Sequence, residues 1–123
     1  MNGQQVTDRA LALLGYTDHR GEPDAAVSAA LYKRAVALID QLCTDLTAAE
    51  GGTVTPVTSL SQPLPLSDET ARAVLPYGVA MLLAASRGDG DNQQLFAALY
   101  TARRRTVRRG ERKGDALPRG CDE

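Results

Sequence analysis

The sequence predicts an all-α fold: a four-helix bundle-like domain with a kinked third helix, a Pro-rich loop between helices two and three, and a basic C-terminal extension. Three observations lead there. Apolar residues fill 43% of the 123 positions while aromatics fill 4% and Trp is absent, a Leu/Ala/Val composition that suits helix-on-helix packing better than an aromatic β-core. Apolar residues recur at three- and four-residue spacing through four segments. Helix start and stop residues stand at the ends of those segments. A chain of this length builds one core. No apolar run approaches the ~20 residues of a membrane span, so no membrane association is expected. The start, Met1-Asn2-Gly3-Gln4-Gln5, lacks the basic-then-apolar pattern of a signal peptide.

The first helix is expected from about Gln4 to Leu14, with Asn2 as a cap and Gly15 ending it in the left-handed conformation. Val6, Ala10, Leu13 and Leu14 share its apolar face, with Asp8 and Arg9 off it. Residues 16–24 read as a polar turn, in which Pro23 discourages helix and Asp24 caps the next one. The second helix, about Ala25 to Ala49, is the longest. Val27, Leu31, Ala35, Leu38, Leu42 and Leu46 form one row, and Tyr32, Val36, Ile39 and Cys43 a second beside it. Together they make an apolar arc of about 160°, wider than one neighbouring helix needs. Such a helix is either central in its own domain or shares its face with another subunit. Gly51-Gly52 ends it.

Residues 53–66 contain three prolines and no helical period. The prolines limit any strand there to an edge or an extended arm, and the segment reads either as a strap over the helices or as a functional loop. Helix three starts at the N-cap Ser67, with Asp68 and Glu69 at the positive end of its dipole. It is expected to reach about Arg87, with a kink or break at Pro76. Val79 to Ala85 is apolar on every side, which predicts the most buried helix. Small residues there, including Gly78 and Ala80, admit a close neighbour. After the turn Gly88-Asp89-Gly90, Asp91 and Gln94 form a capping-box pattern for helix four. Its inner stripe is Leu95, Phe96, Leu99 and Tyr100. At Arg103 the stripe fails, so the helix either projects beyond the body or gives way to disorder after about Val107. From Gly110 the composition favours disorder. The domain division is therefore 1–109, a helical domain, and 110–123, a flexible tail.

The net charge of −1 hides an uneven distribution. Residues 1–102 carry six basic and eleven acidic side chains, whereas residues 103–123 carry eight basic and four acidic ones. The run 103–113 alone holds seven basic groups and one acid. Three readings of it stay open: contact with nucleic-acid phosphate, docking on an acidic protein surface, or a solvated helix end with dipole-favourable cations. No aromatics interleave the arginines, which disfavours stacking on single-stranded bases.

Enzymatic chemistry finds no support. His19 lies in a polar turn without a partner pattern. Asp89, Asp91 and Asn92 resemble the start of a calcium loop, but Gln94 and Tyr100 stand where such a loop needs glycine and a bidentate glutamate. Neither a cofactor nor a metal is expected. Cys43 and Cys121 make no disulfide framework and read as reduced thiols.

With those residues in view, the chain resembles the bacteriophage head–tail connectors (head-completion or neck adaptors) of the small all-helical type. Four stretches carry the likeness: Ala10-Leu-Ala-Leu-Leu-Gly-Tyr16; Leu38-Ile-Asp-Gln-Leu-Cys-Thr-Asp-Leu46; Pro56-Val-Thr-Ser-Leu60 running into Leu64-Pro-Leu66; and, the most specific, Leu75-Pro-Tyr-Gly-Val-Ala-Met-Leu-Leu-Ala-Ala-Ser-Arg-Gly-Asp-Gly-Asp-Asn-Gln-Gln-Leu-Phe-Ala-Ala-Leu-Tyr100. The likeness covers about residues 5–105. It implies a virion protein that assembles in the host cytoplasm as a homo-oligomeric ring, commonly twelve-fold. That ring stacks under the portal protein, extends the channel for packaged DNA and receives a downstream neck or tail protein. By the same analogy Arg103, Arg104, Arg105, Arg108 and Arg109 are the candidates for contact with portal or DNA. Tyr32, Val36, Ile39 and Tyr77 are the candidates for contacts between subunits. A small DNA-binding module acting through the Arg-rich segment is the alternative.

Overall fold

A computed structural model describes residues 1–17, 19–22 and 25–107. The described fold is all-α, with helices α1 (Gly3–Leu14), α2 (Ala25–Glu50), α3 (Asp68–Ala73), α4 (Leu75–Ser86) and α5 (Gly90–Arg104) in chain order. The expected third helix is thus two helices. No strand forms among the described residues; residues 53–66 make one isolated antiparallel bridge, Asn2 to Pro63.

The helix ends reflect local chemistry. Asn2 and Gln5 form a reciprocal capping box at the start of α1, and Gly15 closes it at φ 78°, where a Cβ would be strained. Gly51 ends α2 in the same left-handed way. Ser67 accepts from the Thr70 amide at the start of α3. At α5 the cap is Asp89, which accepts from the Asn92 amide, not Asp91. The helix begins at Gly90, the last residue of the Gly88-Asp89-Gly90 turn, and Asp91 becomes a first-turn acid. Asp24, the expected cap of α2, lies outside the described residues.

The break between α3 and α4 falls at Val74, ahead of Pro76 rather than at it. A proline inside a helix offers no N–H to the carbonyl four residues back and collides with it. Here that carbonyl belongs to Arg72, so the helix stops before the clash and restarts with Pro76 in the first turn of α4, where no donor is missed. The Tyr77 amide turns to Val74 O at 3.2 Å, which leaves Ala73 O without a helical partner.

The core centres on α4. It packs against α1, α2, α3 and α5, and α1 packs mainly on it rather than on α2. Leu75, Val79, Ala80, Leu83 and Ala84 are fully buried. Gly78 marks the tightest approach: a Cβ there would stand 2.8 Å from Tyr100 Cε1 and 3.1 Å from Leu42 Cδ1. The apolar arc of α2 is covered within the chain. Leu31, Ala35, Ile39, Leu42, Cys43 and Leu46 are buried, and Tyr32 and Leu38 pack against the core. Its width therefore needs no second subunit. The side chain of Val27 lies outside the described set.

Two face assignments shift. On α1 the buried face holds Leu11 with Val6, Ala10 and Leu14, while Leu13 is 39% exposed. On α5 Phe96 and Tyr100 are buried but Leu95 is 53% exposed. Both helices touch α4 along a narrower stripe than the periodicity allows, and the flanking leucine falls outside it.

Residues 53–66 form a strap. The Val57 amide donates to Asp40 Oδ1 at 2.8 Å on α2, and Gln62 Nε2 donates to Pro56 O at 2.8 Å. Gln4 N donates to Leu60 O and Leu64 N to Met1 O. Val57 is buried, and Leu60, Leu64 and Leu66 pack on the core. Its amides are satisfied partly by side chains, Val57 by Asp40, Thr58 by Gln62 and Ser61 by Ser59, and partly by backbone carbonyls, Gln62 by Ser59 and Leu64 by Met1.

Gly78→Ala is expected to lower unfolding free energy by about 1–3 kcal/mol, because Tyr100 and Leu42 must both move to admit one methyl group. Urea unfolding of the two proteins measures it; an unchanged midpoint would show that the α4–α5 contact has slack.

Candidate functional site

The Arg-rich run begins where α5 ends. Helix α5 stops at Arg104, and Thr106 Oγ1 and Thr106 N both donate to Arg103 O, which turns the chain. Val107 then packs against the core. The helix neither projects nor continues through the described residues. Arg108 and Arg109, and the 110–123 tail, lie outside them.

Arg103 and Arg104 point into the protein's own structure. Arg103 Nη1 donates to Ala73 O at 3.2 Å, the carbonyl freed by the α3–α4 break. Its guanidinium stands 4.1 Å from the centre of the Tyr77 ring, close enough for a cation–π attraction. That contact answers the puzzle of a guanidinium on an apolar face: the stripe fails because the position caps a neighbouring helix. Arg104 meets Asp45 of α2 in a bidentate pair, Nε to Oδ2 at 2.8 Å and Nη2 to Oδ1 at 2.9 Å. The hydrogen bond from Arg104 holds the Asp45 carboxyl below its ordinary pKa. Beside them the buried Tyr100 hydroxyl finds no hydrogen-bond partner among the described residues; burial, reinforced by Asp45, pushes it up to about 12. Arg105 is exposed.

The residues expected to meet other subunits are divided as well. Ile39 is 0% exposed, covered by its own chain, which leaves none of it for a second copy. Tyr32 is half-buried and its hydroxyl donates to Asp8; burial and that bond push it up to about 12. Val36 and Tyr77 are partly exposed. The large apolar side chains that are clearly exposed among the described residues are Leu13, Val54 and Leu95.

Two further polar clusters tie elements together, and sequence spacing gives no sign of either. Tyr16 Oη donates to Asp89 Oδ2 at 2.7 Å, and Asn92 Nδ2 donates to the same oxygen. Arg87 stands 5.2 Å over the Tyr16 ring. The end of α1 is thus pinned to the α4–α5 turn. Tyr16 is the main cause of a lowered Asp89 pKa, with Asn92 next. At the other end of the molecule the Glu50 carboxylate accepts from Ser67 N, Ser67 Oγ and Thr70 Oγ1, joining the end of α2 to the start of α3.

A cavity of about 60 Å³ lies between Glu50, Thr70, Val74 and Val107, well below the few hundred Å³ of a small-molecule site. Among the described residues no three His, Cys, Asp or Glu side chains gather where they could hold a metal, and no helix is long and apolar enough to cross a membrane. Cys43 is a free, buried thiol whose pKa burial pushes up to about 12. His19 is exposed.

Comparison with family models, curated proteins and solved structures finds no match. Function must be argued from the residues.

A carboxylate whose folded pKa is lowered stabilises the fold above the ordinary Asp value of about 3.9 and loses that effect as pH falls. Asp89→Ala is expected to lower Tm at pH 7 by roughly 4–8 °C through loss of a cap and a Tyr16 acceptor. The gap should narrow toward pH 3, and Asp89→Asn, which still caps, should lose less. Thermal unfolding by circular dichroism at both pH values measures this; an equal gap at both would rule out the charge as its source.

Proposed function

We propose that the chain is a subunit of a bacteriophage head–tail connector, a structural protein of the neck and not an enzyme. In this reading copies assemble as a ring, commonly twelve-fold, beneath the portal. The ring extends the channel for packaged DNA and presents a surface to the next neck or tail protein. The domain is read as a four-helix bundle-like body, with α3 and α4 as one broken helix, continued by a basic extension.

The observation that carries this reading is the position of the stretch most like that family. Leu75 to Tyr100 forms α4, the turn at Asp89 and most of α5, which make up the centre of the fold. The resemblance therefore rests on the architecture-bearing part of the chain rather than on a peripheral run of similar composition. Ring contacts cannot be drawn from unburied helical flanks, because the chain covers most of those itself. They fall instead to partly exposed positions such as Tyr32, Val36 and Tyr77, together with the exposed leucines. The basic extension is read as the portal contact, with Arg105, Arg108 and Arg109 as its first cations.

A free DNA-binding module is the second reading, favoured by the same arginines. The two separate by salt and partner. A connector subunit mixed with its cognate portal rings should give a second stacked layer in electron micrographs, and the protein should be present in mature particles. A module acting on DNA alone should bind duplex with an affinity that falls steeply with salt, roughly one unit of log slope per phosphate neutralised. Absence from both portal complexes and particles would end the connector reading; monomers in isolation would not, since a template can drive ring closure.

A further inference from the structure

We infer that Asp45 and Tyr77 are positioning residues for the basic segment: they hold Arg103 and Arg104 against the body, so the charge offered to a partner begins at Arg105. The inference rests on the proposed reading that this segment is the contact surface.

The geometry is two-sided. Arg103 reaches back to the α3–α4 break, with its guanidinium on Tyr77 at 4.1 Å and its Nη1 on Ala73 O at 3.2 Å. The next residue, Arg104, reaches to α2 and meets both carboxylate oxygens of Asp45. Consecutive helical side chains project about 100° apart, so the end of α5 is gripped from two directions by different elements. The Thr106 and Val107 amides then bond to the carbonyls of those same two arginines, at 3.0 and 3.1 Å. The direction in which the chain leaves the body is set by the anchored pair.

A bidentate fork and a stacked guanidinium are geometries that favour arginine over lysine. Arg103 Nη1 and the Nε/Nη2 fork of Arg104 are already directed at partners within the chain, and a phosphate or an external carboxylate would have to compete for them. Arg105 faces solvent with no such demand. Five arginines that look equivalent in the sequence are therefore unequal: 103 and 104 orient the segment, and 105 is the first to meet what it binds.

Hydrogen exchange on the free protein tests the anchoring. Asp45→Asn and Arg104→Ala should each speed exchange of the 105–107 amides about two- to fivefold, while the double variant should do no more than either alone. Unchanged exchange in both single variants would overturn the anchor. Binding to portal rings, or to duplex DNA, tests the division of roles. Arg105→Ala should weaken binding with Tm unchanged. Arg104→Asp should weaken it too, and the exchanged pair Asp45→Arg with Arg104→Asp should recover it, because the bridge is restored with its polarity reversed. Failure of the exchanged pair to recover binding while exchange protection returns would show that Arg104 itself touches the partner, and would overturn the division. If the wild-type protein binds neither portal nor DNA, the functional reading fails, and the exchange rates alone decide the anchor.

Discussion

A proline cannot sit inside a helix four residues beyond a carbonyl that still needs its amide. Pro76 imposes that constraint at the head of the most apolar helix of the chain, and most of the architecture can be traced from it. The helix stops at Val74 and starts again, so α4 is free to take its own direction through the core. The carbonyl left over at Ala73 needs a donor, and a guanidinium from the far end of α5 supplies it. The result is a central helix with all the others laid on it, closed at the break by a side chain from the end of the last helix. An unpaired carbonyl buried there would be costly, which gives Arg103 a structural role before any partner is considered.

Much of this is readable in the sequence, and the readable parts share one property. Gly15, Gly51, Asn2 and Ser67 act within one turn of their own position, so local chemistry decides them. The central place of α4 is also legible, because a helix apolar on every side has nowhere else to go. What escapes depends on neighbours distant in the chain. Leu11 and Leu13 both belong to an apolar run, and only the line of contact with α4 selects one of them. Asp89 is the cap rather than Asp91 because Tyr16, 73 residues away, bonds the same carboxylate and fixes the turn. The arginines of α5 look alike until Ala73, Tyr77 and Asp45 are placed beside them. The strap over residues 53–66 is one of two open readings of its composition, and its anchors, Asp40 and the backbone near Met1, leave no periodic trace.

The same structure alters the grounds of the functional reading without removing it. A wide apolar arc on α2 suggests a face shared with another copy, yet α1, α4 and the strap cover nearly all of it. Among the described residues the apolar surface offered outward is sparse: Leu13, Val54 and Leu95 singly, and the edges of half-buried tyrosines. A surface of that kind fits association that is weak between free copies and strengthened by a template, since multiple modest contacts gain from being held together. It fits poorly with an obligate dimer, whose interface is commonly a hydrophobic core cut in half.

The placement of α1 carries a consequence for how the chain is made. Its main packing surface is α4, some sixty residues further along, and the two are further joined through Tyr16 and Asp89. A ribosome delivers α1 and the whole of α2 before that surface exists. The first helix must wait, its leucines uncovered, until translation has passed the proline and the Asp89 turn. Assembly of the core therefore waits on the emergence of α4 and cannot proceed helix by helix, and the apolar face of α1 is the part of the nascent protein most in need of shelter in the meantime.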